Sequence, residues 1–172
     1  MNSISSCSRS WSAERSVPLR VLCLGNESLA DDALGHEVAS RLQQFVSKDV
    51  EIVDTPESGL HLLDYLLNAR QLTVVDTIQT GDAPVGTIFR FHDRDVRVAQ
   101  GGSPHYVGMF EALEVARQVG LPVAHDVLIL AVEAKDCLSF GREMCPAVRS
   151  AVPELVRMVE AMIPTPAEPQ LG

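Results

Sequence analysis

The chain has 172 residues, of which 46% are hydrophobic, and its mean hydropathy is +0.10. These values suit one globular domain, and no apolar run reaches the ~18 residues that a membrane-spanning helix needs. The formal net charge of −9 argues against a nucleic-acid partner, because nucleic-acid-binding proteins present a basic face. The four cysteines form no C-x-x-C pair, which favours packing roles in a reducing compartment and predicts a cytoplasmic protein.

The two ends of the chain differ in composition from its middle. Residues 1–18 are rich in serine and lack the apolar stretch of a secretory signal, so we expect an N-terminal tail. Residues 164–172 contain three prolines and predict a flexible C-terminal tail. A single α/β domain is expected over residues 19–163.

Apolar runs and helical periodicities alternate along the domain. Strands are predicted at 19–25, 50–54, 72–75, 86–91 and 126–132, and helices at 33–46, 60–67, 106–119 and 146–163. Pro153 should kink the last helix or mark its true start. The segment 92–104 has no clear period and is predicted to be a mobile loop over the site. This alternation predicts a three-layer αβα sandwich with a mostly parallel central sheet, of the phosphorylase/hydrolase-like kind.

The stretch around the first strand organises the rest of the chain. A buried strand ends at Gly25, and a polar turn with Asp31 and Asp32 leads into a helix. The turn has no G-x-G-x-x-G for a dinucleotide and no P-loop lysine, and the chain has no G-x-S-x-G for a hydrolase serine. Three common α/β sites are therefore excluded.

A cluster of two acids and one imidazole remains. Asp32, Asp76 and His105 lie in separate segments that parallel strands would bring to one edge of the sheet. One nitrogen and two oxygen donors suit Zn²⁺ or Ni²⁺ with open positions. Equally, Asp32 and His105 could cap the helices that start beside them, and Asp76 could be a turn residue. Spacing alone leaves both interpretations open.

A set of short motifs appears in a specific order between residues 20 and 163. The motifs are Gly25-Asn26, Asp31-Asp32-Ala33-Leu34-Gly35, Ser58-Gly59-Leu60, Val74-Val75-Asp76, Ala83-Pro84-Val85-Gly86-Thr87 and Ser103-Pro104-His105-Tyr106-Val107-Gly108-Met109. With them the chain resembles the maturation endopeptidases of [NiFe] hydrogenases. Two positions depart from the family pattern, since Cys23 and Ala33 stand where glycines are usual.

The resemblance implies an endopeptidase that removes the C-terminal extension of a nickel-loaded large-subunit precursor. It implies Asp32, Asp76 and His105 as metal ligands, with Asp32 or Asp76 also activating the attacking water. It further implies that nickel comes with the substrate as its recognition element, that Zn or Cd substitutes for it, and that the enzyme is classed near the aspartic or metallo-type peptidases. We expect a monomer that contacts no nucleic acid and no membrane.

Two other functions fit the same residues. One is a non-catalytic metal-binding accessory module that docks on a metalloenzyme subunit. The other is a hydrolase of small molecules. A nickel-loaded precursor distinguishes them, because only a protease shortens it.

Overall fold

The computed structural model describes residues 16–95 and 108–163. In this part of the chain the strands are β1 (Val17–Leu24), β2 (Val50–Thr55), β3 (Ala69–Ile78), β4 (Ile88–His92) and β5 (Val127–Glu133). The α-helices are α1 (Leu34–Leu42), α2 (Leu63–Leu66), α3 (Met109–Gln118) and α4 (Pro146–Glu160). Strands and helices alternate as predicted, except that β4 follows β3 without a helix.

The five strands form one sheet in the order β2-β1-β3-β5-β4. Every neighbouring pair is parallel except β4 with β5, which is antiparallel. The central strands are apolar on both faces, as in a sheet covered by helices on each side. The predicted mostly parallel α/β fold is confirmed.

Two separate apolar cores lie on opposite faces of this sheet. The first joins α1 and α4 to the sheet and includes Leu34, Val38, Val152 and Leu155. The second joins α2 and α3 to the other face and includes Leu66, Met109 and Leu113. These two helical layers complete the αβα sandwich.

The order in which strands are added to the sheet reverses between β1 and β3, although the two strands are parallel. The β1 connection runs through α1 to β2 on one side, whereas β3 lies on the other side of β1 and is reached through α2 on the opposite face. The connections that leave the carboxyl ends of β1 and β3 therefore diverge and open a crevice. Ligands of open α/β sheets bind at such a point.

Several element boundaries differ from the sequence predictions. β1 begins two residues earlier, at Val17, whose amide donates to the Asn68 carbonyl at 2.9 Å. β3 continues to Ile78, three residues past its predicted end, because Asp76, Thr77 and Ile78 still pair with β5. Pro153 lies inside α4, so the alternative that it marks the helix start is wrong.

Candidate active site

The turn after β1 depends on two close backbone approaches. Gly25 has a φ of 141°, and a Cβ atom there would lie 2.0 Å from the backbone oxygen of Asp32. A Cβ atom at Gly35 would lie 2.0 Å from the Leu24 oxygen. Both positions therefore require glycine, and together they fold the turn tightly over the end of β1.

Asp32 is held in this turn by hydrogen bonds to its carboxylate. Its side chain is buried, and the Asn26 amide donates to Oδ2 at 2.8 Å. The Thr77 hydroxyl donates to Oδ1 at 3.3 Å. No side-chain cap bond forms at the start of α1 or of the 3₁₀ turn before it. The interpretation of Asp32 as a helix cap is therefore wrong.

Asp76 reaches the same point from the neighbouring strand. It is fully buried within β3, so its interpretation as a turn residue is wrong. The Thr77 amide donates to Asp76 Oδ1 at 2.7 Å. Thr77 thus contacts both carboxylates, Asp32 with its hydroxyl and Asp76 with its amide. We call Asp32 and Asp76 the acid pair.

The third predicted site residue, His105, lies outside the described residues. Within 16–95 and 108–163, no set of three His, Cys, Asp or Glu side chains is placed to hold a metal ion. The start of the predicted mobile loop is a short helical turn, in which the buried Asp93 accepts hydrogen bonds from Arg117 at 2.7 Å and from the Val127 amide at 3.1 Å. Residues 93–95 are therefore fixed, and the mobility of 96–104 stays a prediction.

A buried thiol adjoins the acid pair. The Cys137 thiol donates to the Thr77 hydroxyl oxygen at 3.4 Å. Burial raises the pKa of the Cys137 thiol to about 12, the bond to Thr77 opposes this in part, and the nearby carboxylates of Asp32, Asp31 and Asp76 add to the rise. The thiol is therefore neutral at physiological pH and is not a nucleophile. The sequence predicted a packing role for most of the cysteines, and it held no signal for this contact.

Asp31 has a different task from its neighbour. Its carboxylate accepts bonds from the backbone amides of Lys135 and Asp136, both at 2.9 Å, and of Cys145 at 2.6 Å. Its own amide donates to the Asp136 carbonyl at 2.8 Å. Asp31 thus anchors the segment between β5 and α4 beside the acid pair. Its partners are more than one hundred residues away, so no local pattern indicates this role.

The described cavities do not coincide with the acid pair. A cavity of about 360 Å³ lies at the amino-terminal ends of the parallel strands, near Asn68, Pro122 and His125. Its lining contains no acidic residue. The crevice is the candidate site instead, because the buried Asp32 and Asp76 both contact Thr77 there. Carboxylates in such a crevice can bind a cation or take a proton from water.

A family model for hydrogenase maturation protease matches residues 36–162 of this chain. The chain belongs to the hydrogenase maturation protease family. Among curated relatives, the hydrogenase expression/formation protein HupD of Rhodobacter capsulatus is 31% identical over 157 residues, which is 84% of this chain and 73% of that protein. HupD of Thiocapsa roseopersicina is 29% identical over 84% of this chain and 67% of its own length.

Solved structures of the family share the fold. The hydrogenase maturating endopeptidase HybD from Escherichia coli matches with a TM-score of 0.73 and 25% identity, covering 85% of this chain and 91% of that one. HybD from Thermococcus kodakarensis matches with a TM-score of 0.69 and 18% identity, covering 86% and 100%.

Family membership confirms the resemblance seen in the motifs and identifies the chain as a peptidase. It favours the protease interpretation over the non-catalytic module and the small-molecule hydrolase. In the described part of the chain, no helix is both long enough and apolar enough to cross a membrane.

Proposed function

We propose that this chain removes the C-terminal extension of a nickel-loaded [NiFe] hydrogenase large-subunit precursor. One observation of the site supports this most: Thr77 joins the buried carboxylates of Asp32 and Asp76 at the crevice between β1 and β3. A peptidase of this family needs a group that activates water, and a carboxylate at the mouth of a crevice can do so.

The donor chemistry fits a nickel ion carried by the substrate. Asp32 and Asp76 would contribute carboxylate oxygens, and His105 would contribute an imidazole nitrogen. When bound, nickel supplies a positive charge that polarises a peptide carbonyl and marks the precursor as loaded. Zn²⁺ or Cd²⁺, which accept similar donors, would substitute in binding. The enzyme would then be classed near the aspartic or metallo-type peptidases.

The chain's own residues handle the proton and the orientation. Asp32 or Asp76 accepts the proton of the attacking water and returns it to the amine that leaves. The Thr77 hydroxyl keeps Asp32 in place during this transfer. Cys137 stays protonated beside them and forms no covalent intermediate.

We further propose that the enzyme acts as a monomer in the cytoplasm. The described cysteines, Cys23, Cys137 and Cys145, are free thiols, which suits a reducing compartment. Size-exclusion chromatography with light scattering would measure the mass of the native protein.

The decisive experiment compares nickel-loaded and nickel-free precursor as substrates. We expect the wild-type enzyme to shorten only the loaded precursor, and His105→Ala to shorten neither. His125→Ala is the matched control, because His125 is an exposed histidine at the amino-terminal ends of the parallel strands, away from the crevice. Gel electrophoresis and mass spectrometry would follow the product.

Three results would count against the proposal. Equal cleavage of nickel-free precursor would remove nickel recognition, and a wild-type rate for His105→Ala would remove the histidine from the site. If the wild-type protein binds the precursor without shortening it, the accessory-module function is the better one.

A further inference from the structure

The segment between β5 and α4 exposes two large apolar side chains. We call residues 135–145 the arm. Leu138 is 77% exposed and Phe140 is 81% exposed, which are the highest values among the large hydrophobic residues of the described chain. Exposing both on one short segment is costly unless something covers them.

The arm is held in place before any partner arrives. The Ala30 amide donates to the Ser139 carbonyl at 3.1 Å, and the Gly141 amide donates to the Ser28 carbonyl at 2.9 Å, so that Phe140 pairs with Leu29. At its tip, the Asp136 carboxylate accepts the amides of Leu138 and Ser139 at 3.1 and 2.9 Å. The exposed side chains therefore stand on a fixed backbone, which lowers the entropy cost of binding.

This fixed arm is continuous with the acid pair. The residues that it pairs with, 28–30, lead directly into Asp31 and Asp32. The Asp31 carboxylate bonds the backbone at both ends of the arm. The arm therefore borders the turn that carries Asp32.

Two other exposed apolar residues lie away from the acid pair. Val46 precedes β2, and Val119 follows α3 on the way to β5, so both lie toward the amino-terminal ends of the parallel strands. Leu60, which is 67% exposed, follows the carboxyl end of β2, but among the described residues it stands alone there, whereas the arm presents two such side chains.

The size of the arm fits an enzyme–substrate contact better than a dimer. Leu138 and Phe140 together present roughly 300 Å² of apolar surface. A stable protein–protein interface needs about 800 Å² on each partner. The arm alone is too small to hold a second copy of this chain, but it can form one part of an interface that also covers the crevice.

We propose that the arm binds the large-subunit precursor through Leu138 and Phe140 and so guides the scissile bond to Asp32 and Asp76. This inference rests on the proposed function and assigns it a docking surface. Phe140 is the expected main contact, since aromatic side chains dominate the energy of such interfaces.

The test measures initial cleavage rates of nickel-loaded precursor against its concentration. We expect the double variant Leu138→Ser with Phe140→Ser to raise KM at least tenfold and to change kcat less than twofold. Val119→Ser is the matched control and should leave both constants unchanged. Circular dichroism melting would verify that each full-length variant folds, and single variants would replace the double one if it does not.

The possible outcomes distinguish a failure of the docking surface from a failure of the proposed function. A KM within twofold of wild type for a folded double variant, or an equal rise in KM for Val119→Ser, would overturn the docking surface while the function stands. A wild-type dimer that dissociates in the double variant would assign the arm to a second copy instead. If the wild-type protein neither cleaves nor binds the precursor in biolayer interferometry, both proposals fail.

Discussion

Asp31 and Asp32 are adjacent in sequence and both buried, but they belong to two regions that use a carboxylate in opposite ways. In the anchor region, both oxygens of Asp31 face backbone amides, which can only donate. In the acid pair, the Asp32 carboxylate accepts from a backbone amide, that of Asn26, and also from a hydroxyl, that of Thr77. A hydroxyl can rotate and either donate or accept.

This difference in partners predicts a difference in chemistry. A carboxylate whose oxygens accept hydrogen bonds from several backbone amides holds those segments in place and serves the structure. The Thr77 hydroxyl can donate to Asp32 when it is ionised and accept from it when it is protonated. Asp32 can therefore exchange a proton without losing its contact, as a general base must.

The largest expected effect comes from Asp32→Asn. The amide can accept from Asn26 and donate to Thr77, so the fold should lose less than about 1 kcal/mol of stability. Without a carboxylate, kcat/KM for the nickel-loaded precursor should fall at least about 100-fold. Enzyme kinetics and urea denaturation would measure the two effects. Near-normal cleavage would place the general base elsewhere.

Asp31→Asn should show the reverse pattern, with a large loss of stability and a smaller loss of cleavage activity. The new amide must point its own N–H groups at a backbone N–H of the arm, and no partner there can rotate to accept them. We expect the free energy of unfolding to fall by about 2–3 kcal/mol. Residual cleavage by the folded fraction should exceed that of Asp32→Asn. If Asp31→Asn is as stable as Asp32→Asn in urea, the contrast between the two regions is wrong.

Thr77→Val removes the hydroxyl that donates to Asp32 while keeping the shape of the side chain. Asp32 then loses an orienting hydrogen bond, and kcat should fall about tenfold, or about 1.4 kcal/mol. Thr77→Ser keeps the hydroxyl and should recover most of the wild-type kcat. An equal loss in the serine variant would mean that the methyl group, and not the hydroxyl, is what the site needs.

Cys137→Ser should have the smallest effect. Serine can make the same donation to Thr77, and the raised pKa of the thiol already excludes it as a nucleophile. We expect kcat to change less than about threefold, and alkylation of Cys137 at pH 8 to proceed only after unfolding. Mass spectrometry of the labelled peptides would measure the second effect. Loss of all cleavage in Cys137→Ser would point to thiol chemistry.

The fold could be predicted because its signals are local and repeated. The apolar runs of β1, β3 and β5 are typical of buried strands, and segments with helical periodicity separate most of them. Boundaries were harder where a polar residue stays in a strand. Asp76 and Thr77 resemble the start of a turn in sequence, but they are buried and stay in the strand, where β5 pairs with them beyond the point at which the pairing with β1 ends.

The site could be predicted only in part. The acids after β1 and near the end of β3 had to meet, since parallel strands end at one edge. Which member of the Asp31-Asp32 pair serves the structure depends on the arm, which is distant in sequence. The role of Thr77 depends on the register between β1 and β3, which no single stretch encodes. The position of His105 stays a prediction from the resemblance.

The Asp31 anchor also bears on how the protein is made. Its first amide partner, Lys135, comes 104 residues later in the chain, and Cys145 comes 114 residues later. Such contacts form late, because a long loop must close first. A ribosome that adds about 5–20 residues per second must therefore add more than one hundred residues after Asp31 before the turn that carries Asp32 can be fastened. Nascent chains that stop short of residue 135 would lack the arm, and the Asp31 carboxylate in them would have none of these backbone amides to bind.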